Sequence, residues 1–425
     1  MTFPKGLKIS LIGYGASNKA MCEYLMKNGI YPTIRCDKSV CAPNGCELIT
    51  QDYLNTYEDI IFRSPVIRPD KIKGNGRVFT EASYALEITN GAKIGISGSD
   101  GKTTTSSLIY SALIEDAKKA TLCGNIGTPI IESAPTSTPD SYTVCELSSF
   151  QLMDMLPTLD VAVLTNITEN HLDWHKNMHE YIEAKKNILL RARRAVLCYD
   201  NPTLRNLSPS APVTYFTRGE MPKNTGAEHL VYVKNEDIYY DGEKVIALDA
   251  LSLKGEFNIL NAEATIGALL PIVEKDAIRR ALSTFEGVES RMKCIKIVRG
   301  VSFIDSSIDS TPSRTLATLS AFDKSRCVLI LGGYDKGLSY ECLSALEGIK
   351  CAIICGANAQ KIHKAIAISC KCLFATDFEM AVRRAYSEAC EGDFVILSPA
   401  SASFDMFESY KKRADAFKKI VGELK

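Results

Sequence analysis

The chain has no surplus of charge of either sign: 50 lysines and arginines stand against 50 aspartates and glutamates. That balance argues against a nucleic-acid backbone or an anionic membrane surface as partner. No uninterrupted apolar run approaches the roughly 18 residues that cross a bilayer, so membrane insertion is not expected. Residues 1–11 lack a basic segment followed by an apolar one and a small-residue cleavage site; they read as the approach to a first strand, and the expected compartment is the cytoplasm. No C-x-x-C pair occurs among the 15 cysteines, whose spacing is irregular. The thiols are therefore expected to be reduced, many of them buried as small hydrophobes, and not gathered around zinc. Short-period repeats and low-complexity tracts are also missing.

The sequence does carry 425 residues, 46% of them hydrophobic, which suits a globular protein of about three domains. Strand and helix signals alternate almost throughout. Residues 7–13 form a short apolar strand, 17–28 have helical spacing closed by Gly29, and 31–36 form the next strand, ending at Asp37. A second start lies at 92–97, followed by a helix over 103–114 and strands at 142–145, 161–165 and 195–198. Residues 201–242, rich in Pro, Asn, Gly and Ser, read as loops with short strands. A third start lies at 301–305, with strands at 327–331, 351–355 and 394–397. The expectation is an α/β chain of mainly parallel sheets covered by helices, divided into domains 1–91, 92–286 and 287–425.

The sharpest motif is Gly98, Ser99, Asp100, Gly101, Lys102, Thr103, Thr104, set between a strand and a helix. Glycines let backbone N–H groups approach phosphate, the helix N-terminus adds positive potential, Lys102 can reach phosphate oxygens, and the Thr103 hydroxyl can ligate Mg²⁺. Glu146 ends a strand beside this loop, where a carboxylate can hold the same cation. His171 lies just beyond the next strand end; His175 and His179 follow at four-residue intervals, but in a loop-like segment. Gly13, Gly15 and Asn18, with Asp37 at the following strand end, half-match a dinucleotide fingerprint and read as a diphosphate-binding turn. In the third unit, polar clusters at 305–311, 332–337 and 398–405 all follow strands, the edge where open α/β sheets bind small molecules.

Together these residues resemble the Mur ligases, most closely the branch that adds D-glutamate. The match runs over essentially the whole chain: the loop 98–104, ELSSFQL (146–152), NITENHLDWH (166–175), LGGYDKG (331–337) and LSPASASFD (397–405). The resemblance implies a three-domain ATP- and Mg²⁺-dependent enzyme: a Rossmann-like N-terminal domain for the UDP moiety, a P-loop central domain for ATP and a Rossmann-like C-terminal domain for the amino acid. It implies phosphorylation of the carboxylate of UDP-MurNAc-L-Ala and attack by the D-glutamate amine on the acyl phosphate. Carried onto this chain, Lys102, Glu146, His171 and Lys185 would be catalytic. Thr103 and Glu146 would hold one Mg²⁺ and His171 would help hold a second. Lys185 in Glu183-Ala-Lys185 would be carbamylated and bear on the metal. Asn258, Asn261, Arg291 and Asp305 would serve the nucleotide, with the loop 98–104. Ala16, Ser17, Asp37 and Lys38 would meet the uridine diphosphate, Asn125 the muramoyl group, and Lys336, Ser403 and Tyr410 the D-glutamate. A monomer is expected.

Four positions depart from the family pattern. Asp305-Ser306-Ser307 replaces Asn-Asp-Ser, Ile308 stands where a lysine is common, Ser290 precedes Arg291 where a histidine does, and Ser64-Pro65-Val66 replaces Ser-Pro-Gly. Three rivals follow: a folylpolyglutamate-synthase-like amide ligase, a nicotinamide oxidoreductase built on residues 13–18, and a non-catalytic nucleotide-binding homologue. The first does not account for residues 146–152, nor the second for residues 98–104.

Overall fold

A computed structural model describes residues 6–37, 40–172, 174–219 and 225–425. Lys38, expected at the uridine diphosphate, lies outside the described residues. The first sheet has five parallel strands in the order Leu48–Ile49, Thr33–Arg35, Ile9–Ile12, Ile60–Arg63, Arg77–Phe79. Its central strand, ISLI, is buried along its whole length, as a strand covered on both faces must be. The chain leaves it through Gly13, at φ 76°, where a Cβ would lie 2.8 Å from that of Ser64. Helix Ala16–Lys27 follows. Asn18, in place of the third fingerprint glycine, is buried, and its amide donates to the carbonyls of Ile12, Gly13 and Phe62 at 3.1, 2.7 and 3.0 Å. Three carbonyls thus converge on one side chain, and the turn is held by it.

The second sheet has nine strands. Seven run parallel in the order Lys119–Gly124, Ser141–Glu146, Ala92–Ser97, Thr158–Leu164, Arg191–Cys198, Val213–Thr217, His229–Lys234; Asp237–Tyr240 and Glu243–Ala247 add antiparallel at the edge. In the stretch 201–242, Val213–Thr217, His229–Lys234 and Asp237–Tyr240 are short strands of this sheet, and the other described residues are turns, loops and the one-turn helix Pro202–Arg205, so the reading as loops with short strands holds. Its described Pro, Asn and Gly residues lie outside those strands.

The third sheet runs Lys293–Val298, Val301–Asp305, Phe394–Leu397, Cys327–Leu331, Cys351–Ile354, Cys372–Phe374; only its first strand is antiparallel. Its faces bury different cores. Phe303, Val328, Ile330 and Ile353 pack on one side, and Ile304, Leu329, Leu331 and Ile354 on the other, the period of two that a pleated strand imposes.

The chain forms three α/β domains around these sheets and divides into two compact units. Residues 1–252 with 257–285 make the first unit, and 253–256 with 286–425 the second. One continuous apolar core runs through the first unit, from Leu11 and Phe62 to Val163 and Ile278. Two buried arginines help join its two sheets. Arg63 pairs with Asp154 and donates to the Phe150 carbonyl at 2.8 Å, and Arg68 pairs with Glu180 at 2.9 Å.

Glu81 adds a titratable contact to the same junction. Its carboxylate, 1% exposed, accepts from the Ile131 N–H at 2.7 Å, and burial pushes its pKa up to about 7. A carboxyl raised in the folded state contributes stability that is complete below its unfolded pKa and lost as pH rises through the folded value. Glu81→Gln keeps an acceptor without the charge. It is expected to match the wild type near pH 4.5 and to exceed it by roughly 2–3 kcal/mol at pH 8. Chemical denaturation at both pH values reads the difference; a gap independent of pH would refute the assignment.

Candidate active site

Strand Ala92–Ser97 runs into the loop 98–101 and helix Lys102–Glu115. The loop needs its glycines. Gly98 has φ 146°, and a Cβ there would lie 2.0 Å from the Thr165 hydroxyl oxygen; Gly101 has φ 80° and would place one 2.5 Å from the Asn261 side-chain oxygen. The Asn166 side-chain oxygen accepts from the N–H groups of Ser99 and Asp100 at 3.1 and 2.9 Å, tying the loop to the end of strand Thr158–Leu164. The Ser99 hydroxyl bonds Tyr181 Oη at 2.8 Å and the Thr168 carbonyl at 2.9 Å. Lys102 Nζ donates to the carbonyls of Gly98 and Ser99 at 2.7 and 2.8 Å, so its charge sits over the loop. The fourteen-residue helix opens at Gly101, and the first turn of a helix presents N–H groups without intrahelical partners.

Glu146, at the end of the adjacent strand, is 2% exposed. Its two oxygens accept from Thr103 Oγ1 and Asn125 Nδ2, each at 2.7 Å. A carboxylate and a hydroxyl meeting at a phosphate loop form an all-oxygen donor set that suits Mg²⁺, which takes few protein ligands and fills the remainder with phosphate and water. Among the described residues no three His, Cys, Asp or Glu side chains gather into a metal-holding group.

Lys185, in helix Met178–Lys186, is 1% exposed; its Nζ donates to the Gly98 carbonyl at 2.7 Å and lies 4.9 Å from the Tyr181 ring centroid. Burial first, and the Lys102 ammonium second, hold its pKa well below that of an ordinary lysine. His171 is exposed, at φ 56°, with its ring 5.0 Å from that of Phe150. The three histidines do not share a helix face. His175 is buried with Nε2 2.9 Å from Ser149 Oγ, and His179 is exposed on the helix.

Asn258 and Asn261 are buried on helix Glu256–Leu269 and bonded to each other at 3.1 Å. Asn261 also accepts from Thr105 Oγ1 at 3.2 Å, so it buttresses the loop from behind. In the first sheet, Ala16 and Ser17 form the first helical turn after Gly15, and Asp37 follows strand Thr33–Arg35. Asp37 lines a cavity of about 330 Å³ with Thr50, Asp52, Tyr53 and Leu54. Sequence reading missed those four; Asp52, with φ 48°, marks a turn that no local motif announces.

In the second unit the three polar clusters meet at one sheet edge. Ser306 N–H donates to the Leu397 carbonyl at 2.9 Å, Gly332 to Pro399 at 2.9 Å and Tyr334 to Ala402 at 2.8 Å. Asp305 is fully buried, its Oδ1 accepting from the Ser307 N–H at 3.0 Å. Asp309 is also buried and accepts from Thr318 and Ser398 hydroxyls, both at 2.7 Å; burial raises its pKa. Arg291 follows Ser290, which has φ 60°. Ser403 is buried, Tyr410 opens helix Tyr410–Glu423, and exposed Lys336 holds its ammonium 5.8 Å from the Phe404 ring centroid. Arg413 was not foreseen. Fully buried, it donates to the Ser307 and Ser401 carbonyls at 2.8 and 3.1 Å and so ties two clusters together. Its one signal is position: an arginine on the helix face that otherwise buries Ala414, Phe417 and Val421.

Family models match two segments: the Mur ligase middle domain over residues 96–269, and the Mur ligase glutamate ligase domain over 290–401. The chain is 36% identical over 462 aligned residues to UDP-N-acetylmuramoylalanine–D-glutamate ligase of Ruminiclostridium cellulolyticum, covering 99% of this chain and 97% of the relative. It is 37% identical to the enzyme of that name from Clostridium kluyveri, with 99% and 98% covered. Among solved structures it is similar to UDP-N-acetylmuramate–alanine ligase of Thermotoga maritima (TM-score 0.63, 16% identity, 98% and 99% covered). It is also similar to a MurF ligase of that organism in complex with ADP (TM-score 0.61, 16% identity, 100% and 97% covered).

Proposed function

The chain belongs to the Mur ligase family, and on that premise we propose that it joins D-glutamate to UDP-N-acetylmuramoyl-L-alanine, using ATP, in peptidoglycan precursor synthesis. The observation that carries the reading is the constellation of Lys102, Thr103, Glu146 and Asn125 around one glycine-bounded loop. No helix among the described residues is long and apolar enough to cross a membrane, which suits small soluble substrates.

A carboxylate resists amines because its leaving group would be oxide. Transfer of the terminal phosphoryl group of ATP to the substrate carboxylate gives an acyl phosphate and ADP. Attack by the D-glutamate amine then forms the amide, releases inorganic phosphate and loses one proton. Both steps gather negative charge, so preorganised positive groups do most of the stabilising. Lys102 and the helix N-terminus meet the phosphates, and Asn125 orients both Glu146 and the muramoyl carboxylate. Thr103 and Glu146 would hold one Mg²⁺ and His171 would help hold a second; bound there, the cation would supply positive charge against the negative charge that develops. Lys185, if carbamylated, would give that region an anion. The residues at 13–18 and Asp37 take the uridine diphosphate, Asn258, Asn261, Arg291 and Asp305 the nucleotide, and Lys336, Ser403 and Tyr410 the D-glutamate. The protein acts in the cytoplasm as a monomer, its domains 1–91, 92–286 and 287–425 holding chiefly the UDP moiety, ATP and D-glutamate respectively.

The test is phosphate release from ATP and Mg²⁺ with UDP-N-acetylmuramoyl-L-alanine, with and without D-glutamate, and with L-glutamate as control. Release is expected only when the nucleotide-sugar substrate and D-glutamate are both present. No release, or equal release with L-glutamate, would overturn the assignment.

A further inference from the structure

Val66 departs from the family's glycine, and the structure shows what its turn touches. Its carbonyl accepts from the indole N–H of Trp174 at 2.7 Å. Two residues on, Arg68 is 8% exposed and uses all five of its donors. Nε and Nη2 donate to Asp70, each at 3.0 Å; Nη1 and Nη2 donate to Glu180 at 2.9 and 3.0 Å; Nη1 also donates to the Trp174 carbonyl at 2.7 Å. The guanidinium lies 5.0 Å from the Trp174 ring centroid. Glu180 accepts from the Lys176 N–H at 2.8 Å as well. The loop so gripped is the one that carries His171. Its carbonyl accepts from the N–H groups of Trp174 and His175 at 3.1 and 2.9 Å, and its φ of 56° is disfavoured for any residue with a Cβ. Such a conformation persists only where its surroundings over-determine it.

We propose that Arg68, with Glu180 and Trp174, is a latch from the first sheet that positions His171 for the metal-assisted step. Arg68 is thus a positioning residue, its guanidinium donors going to Asp70, Trp174 and Glu180. The proposal rests on the reading of His171 given above. A bidentate arginine fits the task because its rigid planar fork fixes two acceptors at once, which lysine cannot do.

Trp174 is the only tryptophan in the chain, so its fluorescence reports on the loop without reference to activity. Arg68→Ala is expected to shift that emission to the red and raise its quenching by acrylamide about threefold, as the indole loses the guanidinium above it. In the phosphate-release assay the same variant should lose about 30-fold in kcat and need about tenfold more Mg²⁺ for half-maximal rate, with KM for D-glutamate within about twofold. Arg68→Lys should recover only part of this. Combined with His171→Ala it should add less than about twofold to the loss from His171→Ala alone, because the two act through one group. Unchanged fluorescence and Mg²⁺ demand in folded Arg68→Ala, or losses that multiply in the double variant, would overturn the latch. Should Arg68→Ala fail to fold, Glu180→Gln removes half of the ion pair and is read in the same way. A normal Mg²⁺ demand in His171→Ala would instead overturn the role given to His171. Wild-type protein that releases no phosphate would overturn the ligase reading. In both cases the fluorescence still decides whether Arg68 holds the loop.

Discussion

Lys185→Ala is expected to lower kcat about 1,000-fold, and millimolar short carboxylic acids such as acetate or formate to restore part of the loss. The size corresponds to about 4 kcal/mol of transition-state stabilisation, a reasonable share for one preorganised charge in a buried phosphoryl-transfer site. The reasoning starts from burial. Lysine at 1% exposure, with the Lys102 ammonium adding repulsion, is held well below its ordinary pKa, so its neutral amine form is favoured relative to that of an exposed lysine. Only the neutral amine has the lone pair that attacks carbon dioxide; the product carbamate carries a negative charge and releases a proton. Carbamylation would thus place an anion beside Gly98, suited to orienting Mg²⁺. Alanine removes the amine, and an added carboxylate supplies the missing anion. Rates measured with and without acid check this, alongside Lys185→Arg, which cannot be carbamylated and is expected to gain nothing. Near-normal Lys185→Ala activity without added acid would count against carbamylation.

Lys102→Ala is expected to abolish turnover to a similar extent, about 1,000-fold or more, with no rescue by carboxylic acids. Lys102 Nζ lies on the Gly98 and Ser99 carbonyls, at the mouth of the loop and not in bulk water, so its charge meets phosphate at short range with little reorganisation. Lys102→Arg retains charge but not shape and should stay severely impaired, because the fork needs room that the glycine-bounded turn does not leave. Single-turnover rates of acyl-phosphate formation would separate this from a binding defect: the chemical step should slow far more than ATP affinity weakens. A variant with near-normal rate would sink the phosphate-loop assignment. Opposite responses of the Lys102 and Lys185 variants to acid would assign the two neighbouring lysines different work.

Much of this was legible because it is local. Alternating apolar runs and helix spacing announced parallel sheets, and strand–glycine–helix punctuation at 92–104 announced the phosphate loop, since both depend on residues close in the chain. The stretch 201–242 was legible as loops with short strands, but not as part of the central sheet. Its strands are short and set among turn residues, and they become sheet only because strand Arg191–Cys198 offers them an edge.

The sequence by itself determined the fold class and the family, and singled out the residues on which the proposed chemistry turns: Lys102, Thr103, Glu146, Lys185. Only the tertiary structure decided what those residues meet. Strand Ala92–Ser97 lies between Ser141–Glu146 and Thr158–Leu164, and that placement delivers Glu146 to Thr103 and Lys185 to Gly98, 87 residues away. Arg68 reaches Glu180 across 112 residues, and Arg413 reaches Ser307 across 106. No local pattern encodes such pairs. A buried charge is tolerated only where distant carbonyls and carboxylates converge on it, and strand order is what brings them together.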